Sequence, residues 1–525
     1  MNRRAFTAPA AVLAFVCFVS SAPAQEQARG LTQTEAIQLS MSHNPSLQAA
    51  LIDIQRSEQQ VRAEDWRFVP VLQLDAGYTH SEGPRLQRDG GVTISSSDTT
   101  SVGSQLSHTF RTGTQLTFRV EGYRSTSKQQ LDPGSNDSVT LGPSYGTMGR
   151  LSLVQPFLRG AGTDFSEAAL RQARLARTSS QRAHDAAASQ LLRDTLTAYW
   201  ELWYRSRAVE IDEQAVEFAE KQREDADKRA QTGALAPADV LSYETRVAEL
   251  QESLETARAQ RRQQAVELTR LLGTREFGQD LYARSDLGTA LQSVGGTREA
   301  AVRAALAQSP ELAQLEAEVA AAADRVTTAG ESERSRLDLE AYVQSERLAY
   351  REVPPALDHV SVRPAYSAHV GLVFELPLSG KARSADRRAA ELAVDAARAR
   401  LREKREQIES QVWAQFVQAE AAKRRVRLAD TTVRAARQQV EAARKRYESG
   451  AAIFIEVQQA EDSLRKSELG VERARSDLAQ ALLQLRHLTG ELLVRYAHEV
   501  PRAAAARRQL PPAYAYAALH RPGAL

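Results

Sequence analysis

The residue types that most often carry chemistry occur in this chain without the spacing that chemistry requires. Its nine histidines are scattered along 525 residues, and none begins an HExxH zinc-binding pair. We find no phosphate-binding loop and no dinucleotide fingerprint, and the single cysteine, Cys17, excludes a disulfide framework and a cysteine-based zinc site. We therefore predict that the protein is not an enzyme and that it uses no cofactor and no metal.

The composition instead favours long helices. Glycine (27) and proline (18) are sparse, aromatic residues make up 6%, and charged residues make up 26% of the chain. The 68 basic and 66 acidic residues nearly balance, which gives no electrostatic reason to expect a nucleic-acid partner. Beyond the N-terminus there is no run of 18 apolar residues, so no transmembrane helix is predicted.

The segment Met1–Ala24 has the layout of a secretory signal peptide. Arg3 and Arg4 precede an apolar stretch, and Ala22-Pro23-Ala24 forms a small-residue cleavage site. Val16, before Cys17, is not the small residue that a lipoprotein signal places there. We expect the mature protein to work outside the cytoplasm without a lipid anchor.

Four landmarks recur in the same order along the chain, which predicts two copies of one supersecondary unit. The last two pairs of landmarks are displaced along the sequence by the same amount. The pairs are Asn44–Leu47 with Ser309–Leu312, Val154–Gly160 with Phe374–Gly380, Arg229–Gly233 with Arg446–Gly450, and Leu271–Gly273 with Leu488–Gly490.

Each copy contains the pattern of a long helical hairpin. Residues 163–231 and 383–449 lack Gly and Pro, which predicts very long helices. After Gly233 and Gly450, apolar residues recur at alternating spacings of three and four, the pattern of a coiled-coil seam. The seam in the second copy is Val457, Ala460, Leu464, Ser467, Val471, Ala474, Leu478, Ala481, Leu485 and Leu488. The matching residues of the first copy, in the same order, are Val240, Tyr243, Val247, Leu250, Leu254, Ala257, Arg261, Gln264, Leu268 and Leu271, and only Arg261 and Gln264 interrupt this seam.

Between the N-terminal helix and the long helix of each copy, the hydrophobic period drops to two. Residues 72–79, 337–344 and 366–376 alternate apolar and polar side chains. Taken alone, each segment suits a half-buried soluble sheet. Together with the signal peptide and the long helices, the segments favour strands of a membrane β-barrel that faces lipid outside and water inside.

Two strands per copy give four in the chain, too few to close a barrel without exposed edges. Several chains must therefore share one barrel, and three chains would supply about 12 strands. An insert in the first copy holds a further hairpin, Val102–Phe110 and Gln115–Tyr123. This hairpin is either an extracellular elaboration or two more strands per chain, giving about 18; we favour the smaller barrel.

The predicted fold class is mixed α and β, with duplicated coiled-coil hairpins and strands that contribute to a trimeric barrel. The predicted segments are a signal peptide (1–24), a first repeat (25–287), a link (288–297), a second repeat (298–492) and a Pro/Ala/Arg-rich tail (493–525). The first repeat has a helix at 31–66, strands within 67–158 and a helical hairpin at 163–273; the second has a helix at 298–330, strands at 336–350 and 365–376, and a helical hairpin at 383–490.

This plan resembles the TolC family of outer-membrane efflux channels from Leu31 to about Leu493. The residues that carry the resemblance are Leu31–Ile37 followed by Asn44-Pro45, the strand exit Gln155–Gly160, and Arg446–Gly450 with Glu456–Ala460. The resemblance implies a homotrimer with a barrel in the outer membrane and a long periplasmic helical tunnel. It also implies passive conduction, with a periplasmic adaptor and an inner-membrane transporter of the RND, ABC or MFS type as partners.

The resemblance also suggests roles for residues near the periplasmic entrance. In such channels the second hairpin carries two acidic residues, three apart, at the closed entrance; the matching positions are Glu456 and Gln459. Three copies of Glu456 would form a ring of like charge that favours cations, although a solvated helix carboxylate is the alternative. Tyr447 and Asp239 match further entrance positions, whereas Ala452 replaces an arginine of the family. The resemblance therefore implies that fewer polar contacts hold this entrance closed than in the family.

Two further groups are candidate functional residues because of their positions at the hairpin turns and at the ends of strands. The turns at Gly233 and Gly450 are flanked by Leu235, Pro237, Ile453 and Phe454, apolar side chains that suit either contact with an adaptor or packing within the trimer. Pro156, Gly160, Pro377 and Gly380 mark the exits from strand to helix.

Four aromatic residues form a cluster in the first long helix. Tyr199, Trp200, Trp203 and Tyr204 lie midway along the first long helix, where packing against the N-terminal helices is favoured over a stacking platform for nucleic acid.

The main alternative function is a periplasmic coiled-coil adaptor or scaffold without a pore.

Overall fold

The computed structural model of the chain describes residues 29–499 except 87–90, 132–136, 292–296, 351–364, 377 and 379–380. The predicted signal peptide, Pro377, Gly380 and all but the first seven residues of the predicted tail lie outside the described residues. The chain divides into two units. The hairpin unit contains residues up to 39, 195–291 and 424–480, and the sheet unit contains 40–194, 292–423 and the residues from 481 onward.

Ten α-helices and eight strands occur along the described residues. The helices are α1 Gln33–His43, α2 Pro45–Asp65, α3 Thr163–Ser166, α4 Ala168–Gln231, α5 Pro237–Leu272, α6 Arg298–Gln308, α7 Pro310–Glu333, α8 Lys381–Glu448, α9 Phe454–Leu488 and α10 Glu491–Arg495. The strands are β1 Arg29–Leu31, β2 Val71–Leu86, β3 Val92–Thr109, β4 Gln115–Gln130, β5 Ser138–Pro156, β6 Leu281–Ala283, β7 Arg336–Tyr350 and β8 Ala365–Glu375. No helix in these segments is both long and apolar enough to cross a membrane.

The N-terminal helix of each copy is broken into two helices, where the sequence predicts one. The breaks fall at Asn44 and Ser309, whose backbones are extended and whose side chains cap the next helix. Asn44 accepts a hydrogen bond from the Ser46 backbone N–H at 2.9 Å. Each break precedes a proline, and a residue before proline is displaced from the helical conformation.

The predicted seams are buried along both hairpins. In α5, Val247, Leu250 and Leu254 pack with Val209 and Val216 of α4. In α9, Val457 and Ala460 form a buried cluster near the turn, and Val471, Ala474, Leu478, Leu485 and Leu488 are buried further along. The seam spacing of three and four therefore identifies the packed face of each returning helix.

The aromatic cluster of α4 is packed inside the protein and is not exposed to solvent. Tyr199, Trp200 and Trp203 are 0–6% exposed. The Tyr199 hydroxyl donates to the backbone oxygen of Leu31 at 3.0 Å and accepts from the Ser285 N–H at 3.1 Å. These bonds attach α4 to the small parallel pair formed by β1 and β6. Buried rings cannot stack on nucleic-acid bases. Tyr199, Trp200 and Trp203 therefore serve in packing.

The sheet unit contains a six-stranded sheet in the order β2-β3-β4-β5-β7-β8. All five neighbouring pairs are antiparallel. The extra hairpin lies within β3 and β4, in the interior of this sheet: β3 pairs with β2 from Val71–Ser107 to Leu86–Val92, and β4 pairs with β5. The preference for an extra hairpin outside the sheet, and hence for four strands per chain, is wrong.

The pleat gives the sheet one apolar and one polar face. One row of paired residues on the apolar face runs Leu72, Leu106, Phe118, Leu151, Val343 and Ala368 across the six strands. The neighbouring row on the opposite face runs Gln73, Gln105, Arg119, Arg150, Gln344 and Ser367. Apolar side chains on the first face are exposed within one chain, for example Leu74 at 73% and Val370 at 74%.

A buried histidine lies in the helical part of the sheet unit. His487 is 8% exposed, and its Nδ1 is 2.9 Å from the Ser189 hydroxyl. Burial lowers the pKa of His487 to about 4, and the nearby positive charge of Arg193 acts in the same direction. The folded chain therefore holds this imidazole neutral at pH values where an unfolded chain protonates it.

We predict that His487 makes the fold less stable as the pH falls. Between about pH 6.5 and 4 the unfolded state binds a proton that the folded state does not, so the free energy of unfolding decreases, by about 3 kcal/mol in total. The variant His487→Gln should show a smaller fall of the thermal midpoint over this range than the wild type. His498→Gln, which removes an exposed histidine, is the control; equal pH dependence of wild type and His487→Gln would contradict the prediction.

Candidate functional site

The two helical hairpins turn through the same backbone motif. Gly233 and Gly450 adopt left-handed φ values of 74° and 73°. In each turn the glycine N–H bonds to the carbonyl three residues back, and the next N–H bonds five residues back, from Ala234 to Arg229 and from Ala451 to Arg446 (both 2.8 Å). This pair of bonds is the Schellman motif, for which glycine is the suited residue. The predicted turn positions are those of the structure.

The predicted entrance carboxylates are exposed beside these turns. Glu456 lies in the first turn of α9, and its carboxylate is 4.0 Å from the guanidinium of Arg446. Gln459 is exposed three residues further, on the same side of the helix. Asp239 is exposed in the first turn of α5. Glu456 and Asp239 both stand at helix N-termini, where a negative charge is favoured by the helix dipole.

Tyr447 takes part in an aromatic cluster that the sequence did not predict. Its hydroxyl is 3.0 Å from the hydroxyl of Tyr243 on α5, which joins the two hairpins next to their turns. Phe454 stacks on Tyr243 with ring centroids 3.7 Å apart. Burial and the bond to Tyr447 raise the pKa of Tyr243, so its phenol stays neutral in the physiological range. The sequence marks Tyr243 only as a seam residue.

The apolar residues at the apex divide into two kinds. Ile453 is 62% exposed and Pro237 is exposed, whereas Phe454 and Leu235 are partly buried. Phe454 owes its burial to the stack on Tyr243. Leu241 and Ile455, which the sequence analysis missed, are also exposed near the turns, at 61% and 54%. Exposure thus separates the apex residues that are free to contact a partner from those packed within the chain.

Behind the turns, polar side chains join the first hairpin to α9. The contacts are Glu201 with Arg473 (2.8 Å), Asp212 with Arg465 (2.8 Å), Gln222 with Glu461 (3.1 Å) and Arg246 with Asp462. Asp212 is only 5% exposed. Burial raises the pKa of Glu461, although bonds from Arg444 and Gln222 favour its charged form. We call these four contacts the polar ladder; each joins one copy of the repeat to the other, so local sequence patterns gave no signal for them.

The first strand exit is formed by backbone contacts in the sheet unit. After Pro156, the Phe157 N–H bonds to Leu337 O at 2.8 Å, and the chain turns at Gly160, whose φ is 93°. A Cβ on Gly113, in the β3–β4 turn, would lie 2.2 Å from the carbonyl oxygen of Gly160. The exit therefore requires a glycine in the neighbouring turn as well. The matching Pro377 and Gly380 lie outside the described residues.

One sequence motif of a catalytic nucleophile, which the sequence analysis missed, lacks the matching geometry. The residues Gly142–Gly146 spell G-x-S-x-G, the pattern of a hydrolase nucleophile, but Ser144 lies inside β5 and its hydroxyl donates to Ser125 O at 3.2 Å. A nucleophilic serine of that type stands on a sharp turn between a strand and a helix. Across the described residues, no cluster of His, Cys, Asp or Glu side chains is arranged to hold a metal ion.

Comparison with known proteins relates this geometry to one family. Residues 301–491 match the family described as outer membrane efflux protein. This match covers most of the second copy. Among curated proteins, no sequence match is found.

Solved structures share the fold over most of the chain. VceC of Vibrio cholerae matches with a TM-score of 0.61 at 18% identity, covering 87% of this chain and 96% of its own. CmeC of Campylobacter jejuni matches with a TM-score of 0.61 at 11% identity, covering 98% and 99%. CusC matches with a TM-score of 0.62 at 15% identity, covering 89% and 95%. The predicted fold class and the resemblance to the TolC family are confirmed, and the family description agrees with the predicted outer-membrane location.

The Tyr243–Tyr447 bond predicts non-additive effects of two mutations. Tyr243→Phe and Tyr447→Phe each remove the same hydrogen bond, so each should lower the free energy of local opening by about 1 kcal/mol. The double variant should lose about as much as either single variant. Native-state hydrogen exchange of the amides beside Gly233 and Gly450 measures this opening, with Tyr204→Phe as the control. Additive losses would show that the two hydroxyls do not act as a pair.

Proposed function

We propose that the protein is a channel of the outer membrane that conducts substrates passively from the periplasm to the exterior. The observation that carries this proposal is the six-stranded sheet with one exposed apolar face and one polar face, in a chain that also forms two long helical hairpins. A channel needs a wall that meets lipid on one side and water on the other, and the pleat of this sheet provides both.

The apolar face has the height of a membrane. On β7 the outward residues begin at Leu337, and the first charged residue among them is Arg347. Ten residues of strand span about 33 Å, and a strand tilted by about 40° therefore covers about 25 Å of membrane thickness. This is the height of the apolar band of an outer-membrane barrel.

Closure of the sheet supports a homotrimer. In one chain β2 and β8 are the outer strands of the sheet, so further copies must pair with both edges in lipid. Three chains with six strands each give about 18 strands, a size that leaves a water-filled channel. The hairpins of the three copies then form the periplasmic tunnel, with the turns at Gly233 and Gly450 at its inner end.

The exposed apex residues support docking of a periplasmic adaptor, which an inner-membrane transporter supplies with substrate. Ile453 and Ile455 present exposed apolar surface next to the turn at Gly450. The alternative function, an adaptor or scaffold without a pore, leaves the apolar face of the sheet without a partner. A face of this size exposed to water would favour aggregation.

Fractionation of cells tests the proposal. We expect a detergent-dependent trimer in the outer-membrane fraction that resists dissociation by heat, and conductance when the trimer is added to planar bilayers. In the same cells, a photo-crosslinking residue in place of Ile453 should capture a periplasmic protein, whereas one in place of Leu428, an exposed residue far from the turn along α8, should not. A monomer released by salt washing would contradict the channel.

We also propose that Glu456 contributes a ring of three carboxylates at the periplasmic entrance. Its exposure, its place in the first turn of α9 and its separation of 4.0 Å from Arg446 leave the carboxylate available to ions. Gln459, one turn further on the same side, adds a polar but neutral position. The second hairpin therefore brings one negative charge per chain to this entrance rather than two, in addition to Asp239 of the first hairpin.

Neutralising Glu456 should weaken cation selectivity. In planar bilayers, Glu456→Gln should reduce block by multivalent cations about tenfold, equivalent to about 1.4 kcal/mol of lost attraction. Glu468→Gln is a matched control, because that carboxylate lies on the same helix and is already paired with Arg437 at 2.9 Å. Unchanged selectivity and block in Glu456→Gln would mean that Glu456 does not line the entrance.

A further inference from the structure

Two arginines stand on the apolar face of the sheet without a partner side chain. Arg124 on β4 and Arg347 on β7 are both exposed, on the two strands that flank β5. Among the described residues, neither forms a hydrogen bond or an ion pair with another side chain. Register places Arg124 opposite Tyr145 and Arg347 opposite Thr147, so all four residues lie on one face.

Arginines on the opposite face of the same sheet are engaged. Arg119 forms ion pairs with Asp75 (3.0 Å) and Glu121 (2.9 Å). Arg150 bonds to Gln344 at 2.8 Å and lies over the ring of Tyr342. The lack of partners is therefore a property of the apolar face and not of arginines in this sheet.

The apolar face offers these arginines no acid from neighbouring strands. Along β4, β5 and β7, the described residues of this face include no Asp or Glu. The nearest carboxylate on the face, Asp98 of β3, accepts bonds from Tyr78 at 2.6 Å and from His80 at 2.7 Å. Lys128 adds a third cation further along β4. The face is positively charged here, and an external anion is the missing partner.

The position along the strands indicates which anion. The strand ends at Leu86, Gln130 and Tyr350 lie at the edge of the sheet away from the strand ends that continue into helices, and Arg124 and Arg347 lie in the half nearer that edge. Arg347 ends the apolar stretch of about 25 Å on β7, which puts it at the boundary between acyl chains and headgroups. Tyr145, in the row of Arg124, suits the same boundary.

We propose that Arg124 and Arg347 bind the phosphate of a lipid headgroup in the outer leaflet, with Tyr145 and Thr147 between them. The two Cα atoms are separated by two strand spacings and one pleat repeat, about 12 Å, a gap that two long side chains can close around one phosphorylated headgroup. A guanidinium binds phosphate through two parallel N–H donors, and the strength of this contact grows where water is scarce. This inference rests on the proposed membrane location.

Lipid titration of the purified trimer tests the site. The probe is diphosphoryl lipid A, presented in phosphatidylcholine vesicles, and retention per chain is measured by mass spectrometry. The double variant Arg124→Gln/Arg347→Gln should bind about tenfold more weakly than the wild type, because two charge-assisted contacts are lost. The matched control, Arg150→Gln, removes the same kind of charge from the polar face of β5 and should leave binding within about twofold of the wild type. Arg124→Lys/Arg347→Lys, which keeps the charge, should bind with intermediate strength.

Three results would overturn the inference. They are equal retention by the wild type and the double Gln variant, equal retention of lipid A with its phosphates removed, and full competition by inorganic phosphate, which would identify a site for the free ion. Conductance of the same preparations in phosphatidylcholine bilayers separates the two proposals. Variants that conduct normally while retention is unaffected refute only the lipid site, whereas a wild type that neither enters vesicles nor conducts refutes the channel.

Discussion

Pairing of backbone groups at β2 and β8 is the constraint on which the proposed assembly depends. Each is an outer strand of the sheet within one chain, so each presents a row of N–H and C=O groups to the outside. In water these groups would be solvated, but in hydrocarbon each unpaired group costs several kcal/mol. In the proposed assembly, membrane insertion and association of chains are therefore one event for this sheet. The helices that precede and follow the strands along the chain must then assemble with the same symmetry.

Charged side chains are arranged differently on the two faces of the sheet and in the hairpin unit. On the polar face of the sheet, arginines are paired with carboxylates and amides, while the apolar face carries few charges and these stand near one edge. In the hairpin unit, an apolar seam packs α5 on α4 within the first hairpin, whereas the polar ladder joins that hairpin to α9 through charged side chains. Overall neutrality, at +2 for the full sequence, conceals this arrangement.

The elements that depend on residues close together in the sequence could be predicted. The seams follow from local spacings of three and four, and the turn glycines follow from the repetition of the first copy in the second, both of which the chain displays directly. The strand β3 was underestimated because serine and threonine replace the apolar residues at many of its alternating positions. The place of β3 in the sheet is set by hydrogen bonds to β2 and β4. Which strands pair is not evident from the sequence of a single strand. The helix breaks at Asn44 and Ser309 had a visible signal, the proline that follows each.

Within the candidate site, the positions of single residues were predictable and their partners were not. Tyr447 was expected beside the turn, but its partner, Tyr243, comes from the other hairpin and corresponds to Ala460 in the repeat. The two kinds of contact between the hairpins also differ in what their separation costs. Parting the tyrosines exchanges one neutral hydrogen bond for bonds to water, about 1 kcal/mol. Parting Asp212 from Arg465 while both stay buried would leave two uncompensated charges, at several kcal/mol. Breaking the Asp212–Arg465 contact alone therefore costs more than breaking the tyrosine contact, because buried charges without a partner are less stable than neutral hydroxyls that can bond to water.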